Sequence, residues 1–171
     1  MDSTQFEQIW SAVYGRPAWL VKKGHGSFLT FEFGEPSLRI REPRPPLGNV
    51  SERVRERLSQ RLVMVTGEWR LWIYCCHWSI AQSGRDLAHS ESPDDQIAFS
   101  TQSLDGQKLL SVVPGTAPGS WVFSFDLGGA LKTWPYGDDS SDEQWHLFER
   151  ASSRVFSARA DGRLVYGADT D

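Results

Sequence analysis

Hydrophobic and polar residues alternate along much of the chain with a period of two, the spacing of strands that bury one face. In "SFLTFEF", for example, Leu29, Phe31 and Phe33 alternate with polar residues. Comparable stretches continue to "RLVYG", and the turns "LGGA" and "ADGR" supply glycine where a tight hairpin needs a positive φ. The alternation predicts about nine strands, mainly in antiparallel sheets.

A helical period interrupts this alternation, and it predicts an N-terminal helix, a short second helix and a third helix near residues 93–104. The apolar stripes of the first two are Phe6, Ile9, Trp10 and Val13, and Val50, Val54 and Leu58. The second helix lies in a Pro- and Arg-rich segment, residues 43–61. Helices and strands alternate too irregularly for βαβ units. We therefore predict a single α+β domain over residues 1–171, with two to three helices and residues 43–61 as a helical insert.

The stretch "GEWRLWIYCCHWSI", residues 67–80, is apolar at nearly every position and predicts a central strand covered on both faces. In a strand Cys75 and Cys76 face opposite sides, so they cannot bind one metal ion together. Cys75 and His77 share a face but supply only two of the ligands that zinc requires. We predict reduced, structural cysteines and neither a metal nor a cofactor.

Nine residues from these segments are expected in the core. They are Trp10, Phe31, Phe33, Leu71, Ile73, Phe123, Phe125, Trp145 and Leu147.

The chain also shows a possible internal duplication of a three-stranded meander. "LTFEFGEPSLR" is similar to "FSFDLGGALK", and "EWRLW" is similar to "QWHLF". The first half is longer by 18 residues, which is nearly the length of the segment Pro43–Arg61, so omitting this segment brings the two halves close to register. A true repeat and two unrelated amphipathic hairpins both remain open, since binary patterning alone makes such hairpins alike.

Composition points to a soluble protein of the cytoplasm. Two cysteines give no disulfide framework, and the first ten residues lack a basic segment followed by an apolar one. The longest apolar run, Leu71–Cys76, is far shorter than a membrane span, so we expect no membrane association.

Charge is unevenly distributed along the chain. Residues 1–90 carry 12 basic and 9 acidic residues, whereas residues 91–171 carry 6 and 13. An acidic half disfavours nucleic acid as a ligand and favours a basic partner. The arginines of residues 43–61 alternate with glutamates and have no aromatic neighbours, so we interpret them as a solvated, salt-bridged helix rather than a phosphate site.

The candidate binding site is the stretch "TWPYGDDSSDEQW", where aromatic residues precede an acidic loop. Aromatic side chains beside charged ones are typical of interface hot spots. The predicted partner-binding residues are Trp134, Tyr136, Asp138, Asp139, Asp142 and Glu143. Alternatively, the two aromatic rings close the end of a sheet and the acids are merely solvated.

Catalytic motifs are lacking: the chain has no GxSxG, Walker or HExxH sequence. His25 and Ser27 in "GHGSF", and the carboxylates Glu32 and Asp126, are the residues that could support a weak hydrolase. We predict that the chain is not an enzyme and assign no catalytic residue.

The order "FxFG…GEWxLWI", a helix, then "FxFDLGGxL…EQWxLF…DGRL" resembles small bacterial cytoplasmic domains, some of which are immunity proteins of polymorphic or contact-dependent toxin systems. The resemblance spans residues 25–166 and rests on structural Trp, Gly and Phe positions. It implies a non-enzymatic binding protein that neutralises a toxin. Binding of a small molecule or carbohydrate in a Trp-lined pocket is the alternative, and the oligomeric state is open.

Overall fold

A computed structural model gives the fold of the chain and describes residues 3–168. Its helices are α1 (Ser3–Ser11), α2 (Glu52–Leu58) and α3 (Asp94–Leu104). Its strands are β1 (Trp19–Lys23), β2 (Leu29–Phe33), β3 (Ser37–Arg41), β4 (Leu62–Thr66), β5 (Trp69–Ile73), β6 (Cys76–Gln82), β7 (Arg85–His89), β8 (Leu109–Pro114), β9 (Trp121–Phe125), β10 (Gly129–Pro135), β11 (Glu143–Glu149), β12 (Arg154–Arg159) and β13 (Leu164–Ala168). The predicted α+β class is confirmed.

The strands form three antiparallel sheets. Six strands follow the order β1-β2-β5-β11-β12-β13, five follow β7-β6-β10-β9-β8, and β3 pairs with β4 alone. The structure describes thirteen strands where nine were expected. Apolar and polar residues do not alternate regularly in β1 and β7, and β5 and β6 lie within one apolar run, so these strands were not predicted separately.

The inner faces of the two larger sheets pack against each other and against α1. Phe31 of β2 stacks on Phe125 of β9, with ring centroids 6.4 Å apart. Trp10 of α1 contacts Phe123 and Trp145, one from each sheet. All nine predicted core residues are buried, as alternation with one apolar face requires.

The stretch Gly67–Ile80 is not one central strand, and this prediction was wrong. β5 belongs to the six-stranded sheet and β6 to the five-stranded sheet. The N–H of Cys76 donates to the carbonyl of Tyr74 (2.7 Å), which forms a three-residue turn between them. The buried positions are odd-numbered before this turn and even-numbered from Cys76 to Ile80, so one continuous alternation cannot describe both strands.

The two similar segments do not form equivalent meanders. In the first, β2 pairs with β5 while β3 pairs with β4. In the second, β9 pairs with β10, and β11 joins the other sheet beside β5. The pairing therefore contradicts the proposed duplication of a meander, and similar amphipathic patterns account for the likeness.

Residues 37–66 form a projection that we call the arm, made of β3, a connection containing α2, and β4. The chain leaves the six-stranded sheet after Phe33 and rejoins it at Trp69, and these two residues are paired neighbours. α2 lies within the predicted insert, but none of its residues is buried. Among the described residues its arginines form no ion pair with Glu52 or Glu56, contrary to the predicted salt-bridged helix.

Glu32 holds the base of the arm to the sheet. Its Oε1 lies 2.6 Å from Nε of Arg70, and its Oε2 accepts the N–H of Gly67 at 2.8 Å. From the other side, Nη1 of Arg150 donates to Oγ of Ser37 (2.6 Å) and to the carbonyl of Gly67 (3.1 Å). The arm therefore leaves the sheet from a buried, hydrogen-bonded base.

Candidate functional site

The predicted aromatic residues lie together on the outer face of the five-stranded sheet. Trp134 is opposite His77 in the β10–β6 register, and their rings stack at 5.7 Å. The ring of Tyr136 lies 4.6 Å from that of His77, and Tyr136 is 67% exposed. From the sequence, His77 was considered only as a metal ligand. The alternative, in which both aromatic rings close the end of a sheet, does not hold for Tyr136 because most of its side chain is exposed.

The acidic loop follows directly and leads into β11. Asp138, Asp139 and Glu143 are exposed, and Asp142 is half-buried. We call Trp134, Tyr136, His77 and these four acids the acidic patch. The structure places Trp134 and Tyr136 against His77, and the four acids follow these two residues along the chain.

Hydrogen bonds hold the acidic loop in a defined conformation. Oδ1 of Asp139 accepts the N–H and the hydroxyl of Ser141, at 2.8 and 2.6 Å. The turn between β12 and β13 braces the loop, because Ala160 N–H donates to the Asp142 carbonyl and Asp161 N–H donates to the Ser140 carbonyl. The bonds from Ser141 lower the pKa of Asp139, so this carboxyl stays ionised where an ordinary aspartate begins to gain a proton.

The charge of the loop is only partly offset, because Arg159, the cross-strand partner of Glu143, adds to the Ser141 hydrogen bonds in lowering the pKa of Asp139. Within residues 3–168, none of its four carboxylates forms an ion pair with a lysine or arginine. Glu143 lies 3.7 Å from Nε2 of His146, a weak contact that counts as an ion pair only when the imidazole is protonated. The patch therefore carries a negative field next to an exposed aromatic ring.

The cysteines lie at the crossover between the two sheets, and both are free thiols. Cys76 is buried, and this burial raises the pKa of its thiol far above the usual range. Cys75 is half-buried and lines a shallow cavity of about 530 Å³ that Asp142 and Glu143 also line. In the part of the chain that the structure describes, no three His, Cys, Asp or Glu side chains are grouped to hold a metal ion.

A larger groove, of about 740 Å³, lies on the outer face of the six-stranded sheet at the base of the arm. Trp72 of β5 contacts Phe28 and Phe148, with ring centroids 5.8 and 6.3 Å apart. The polar lining of the groove includes Thr30, Arg39, His25, Glu149 and the Glu32–Arg70 pair. This groove was not predicted from the sequence, because Trp72 was placed on a covered face of a central strand.

The residues considered for hydrolysis are only partly brought together. His25 and Glu32 line the same groove, whereas Asp126 caps the Lys108 N–H from the other sheet. Both oxygens of Glu32 are engaged by Arg70 and Gly67, which leaves neither one available as a base. The geometry assigns no acid–base role to Glu32.

Comparison of the chain with known protein families, with curated proteins and with solved structures found no match. Among residues 3–168 no helix is long and apolar enough to cross a membrane.

Proposed function

We propose that this chain is a non-enzymatic protein-binding domain that recognises a basic protein through the acidic patch. The observation that supports the proposal best is Tyr136, which is 67% exposed and directly precedes a loop whose four carboxylates form no ion pair with lysine or arginine among the described residues. An exposed aromatic ring supplies burial and hydrogen bonding, and the acids supply long-range attraction. The preformed loop lowers the entropy lost on binding.

The resemblance to immunity proteins suggests the kind of partner. A toxin that acts on nucleic acid is basic because its substrate is polyanionic. An acidic inhibitor competes for the same surface and associates quickly, since complementary charge raises association rates. Neutralisation of such a toxin is the specific form of the proposed function.

Binding kinetics distinguish the role of the aromatic residues of the patch from that of its acids. We expect Trp134→Ala to accelerate dissociation about tenfold or more, because loss of an interface aromatic anchor typically costs about 2 kcal/mol. Asp138→Asn with Asp139→Asn should instead slow association and weaken its dependence on salt. Surface plasmon resonance at several ionic strengths, with the basic protein captured from the native host as analyte, measures both rates.

The matched control removes two exposed acids elsewhere, Asp86→Asn with Glu91→Gln, and should leave the association rate nearly unchanged. Capture of no basic protein would contradict the proposal. So would binding that persists unchanged after neutralisation of Asp138, Asp139, Asp142 and Glu143.

The groove favours a second candidate function, binding of a small molecule or carbohydrate. Its volume is in the range of ligand pockets, and its aromatic floor with a few polar groups suits a sugar or planar ring. Arg39, at its rim, forms no ion pair among the described residues and is available to a polar ligand.

Two tryptophan variants distinguish the candidates. If the groove binds a ligand, saturation-transfer NMR with a sugar and fragment library should give signals that Trp72→Ala abolishes and Trp134→Ala preserves. If the acidic patch is the functional site, the two variants should have the opposite effects on binding of the basic protein. A library that gives no signal with the wild-type protein would contradict the second candidate.

A further inference from the structure

The arm is basic, and it forms one wall of the groove. Residues 37–66 contain seven arginines, three glutamates and no aromatic residue. Three of the four ribbon residues that line the groove, Ser37, Arg39 and Thr66, share one face of the β3–β4 ribbon, and the fourth is Leu38. The opposite face is exposed and carries Leu38, Ile40, Val63 and Val65. The groove therefore borders the ribbon face on which the arginines of the ribbon lie.

A hydrogen bond holds this ribbon face toward the six-stranded sheet. Nη1 of Arg150, which follows β11 directly, donates to Oγ of Ser37 at 2.6 Å. Ser37 and Arg39 are two residues apart in β3 and project to the same side. Arg39 is therefore turned toward the strand that contributes Phe148 to the aromatic floor.

Most of the negative charge in the groove is already paired. The lining contains three glutamates. Glu32 forms an ion pair with Arg70, and Glu68 forms one with Arg16. Among the lining glutamates, the carboxylate of Glu149 therefore remains without a lysine or arginine partner in the described chain.

Arg39 has its whole guanidinium group available to an anion. Its side chain is exposed and forms no hydrogen bond or ion pair within residues 3–168. Arg150 is a weaker candidate, because its Nη1 is engaged at the base of the arm and Glu68 offsets part of its charge. Guanidinium groups bind phosphate oxygens through paired N–H donors. We therefore assign the anion contact chiefly to Arg39.

The floor of the groove supplies a stacking surface below this arginine. Trp72 is half-buried, so part of its ring is open to the groove, and Phe28 and Phe148 flank it. Thr30, the cross-strand neighbour of Trp72, adds a hydroxyl group to the lining. Proteins hold nucleotides and single strands by stacking bases on aromatic side chains while basic side chains neutralise phosphate.

This combination was not visible along the sequence. The arginines of residues 43–61 were set aside as a phosphate site because they alternate with glutamates and have no aromatic neighbours. In the structure the arm meets aromatic rings from β5, β11 and the residue before β2. The arm arginines are also free of Glu52 and Glu56 among the described ion pairs.

We infer that the groove binds a nucleoside phosphate, with the base on Trp72 and the phosphate at Arg39. This inference rests on the second candidate function, ligand binding in the groove, and names the class of ligand. A free nucleotide and a nucleotide within a single strand offer the same chemistry. The acidic patch takes no part in this contact.

Matched ligands separate the contribution of the base from that of the phosphate. AMP, GMP, CMP and UMP are titrated into the purified protein by calorimetry, followed by the nucleoside of the one that binds best and by ribose 5-phosphate. The nucleoside should bind about tenfold more weakly, because it lacks the charge-assisted hydrogen bonds. Ribose 5-phosphate should bind at least about tenfold more weakly, because it lacks the stacked base. Added salt should weaken binding of the monophosphate and not of the nucleoside.

Variants assign these contributions to residues. Arg39→Gln should lower the affinity for the monophosphate about tenfold and leave the affinity for the nucleoside unchanged. Trp72→Ala should weaken both about tenfold or more. The controls are Arg85→Gln, an exposed arginine on β7 of the other sheet, and Trp134→Ala, and both should leave the two affinities unchanged. Circular dichroism checks that every variant folds.

A fluorescein-labelled single strand of mixed sequence and about ten nucleotides distinguishes the two sources of the ligand by fluorescence anisotropy. Binding that is tighter than that of the monophosphate, and that Arg39→Gln and Trp72→Ala both weaken, identifies a nucleotide within a strand. Binding that is no tighter identifies a free nucleotide. Either result supports the inference.

Failure of every monophosphate and of the strand to bind would overturn the inference, and so would a monophosphate that binds Arg39→Gln as tightly as the wild-type protein. Methyl glycosides that bind through Trp72 while nucleotides do not would overturn it and leave the second candidate function standing. Failure of the acidic patch to capture a basic protein would contradict the first proposal alone.

Discussion

Trp145→Ala is expected to lower the free energy of unfolding by about 3–5 kcal/mol, the usual range for truncating a buried tryptophan. Trp145 is fully buried and lies at the centre of the aromatic core. Its ring centroid is within 5.4 to 5.9 Å of four other rings, those of Trp10, Trp121, Phe123 and Phe156. These rings come from α1 and from both sheets, so the cavity would loosen all three layers at once.

Two comparisons show whether the loss comes from packing. The Nε1 of Trp145 is buried and has no hydrogen-bond partner among the described residues, so Trp145→Phe keeps a ring and removes an unpaired N–H. Trp145→Phe should lower the free energy of unfolding by much less than Trp145→Ala does. Trp134→Ala, at a half-exposed position, should change stability by less than about 1 kcal/mol. Urea unfolding followed by far-ultraviolet circular dichroism measures all three, and a loss below about 1 kcal/mol for Trp145→Ala would contradict the packing described.

Glu32→Ala is expected to lower the free energy of unfolding by about 3 kcal/mol, because it leaves the Gly67 N–H without its acceptor and Arg70 without its counter-ion. Glu32 is only 4% exposed, whereas the Arg70 side chain is 35% exposed. Water therefore recovers part of the solvation of Arg70, and most of the loss should come from the base of the arm. Hydrogen exchange of the Gly67 amide should rise by more than that of amides in β9 and β10.

Glu35→Ala is the matched control, since this nearby carboxylate is exposed and forms no ion pair in the described chain. It should leave both stability and exchange nearly unchanged. Equal effects of the two variants, or unchanged exchange at Gly67 in Glu32→Ala, would show that Glu32 does not anchor the arm.

The core and fold class were predictable because they depend on local alternation. Leu29, Phe31 and Phe33 face inward for the same reason that any apolar face of a strand does. The assignment of strands to sheets was not predictable, since a strand pairs through backbone groups that every sequence shares. The turn at Tyr74–Cys75 illustrates this: an apolar run continues across it while the chain changes sheets.

Six of the seven residues of the proposed acidic patch could be named from the sequence because they lie in one contiguous stretch, from Trp134 to Glu143. His77 could not be added to it, because its position depends on the β6–β10 register. The groove depends on longer-range contacts still, since Trp72 and Phe148 meet only when β5 and β11 become neighbours. The exposed face of the arm was missed because Leu38, Ile40, Val63 and Val65 have the pattern of an ordinary buried hairpin.

The departure of the arm from adjacent, paired residues has a consequence for how this fold can diversify. Phe33 and Trp69 are cross-strand partners, and the Cα atoms of such partners lie about 5 Å apart. Any segment with ends that close together, from a two-residue turn to a folded module, can connect them without altering the register of β2 and β5. The position between Phe33 and Trp69 is therefore a natural graft site, where one lineage can exchange its recognition element for another while the aromatic sandwich beneath it stays unchanged.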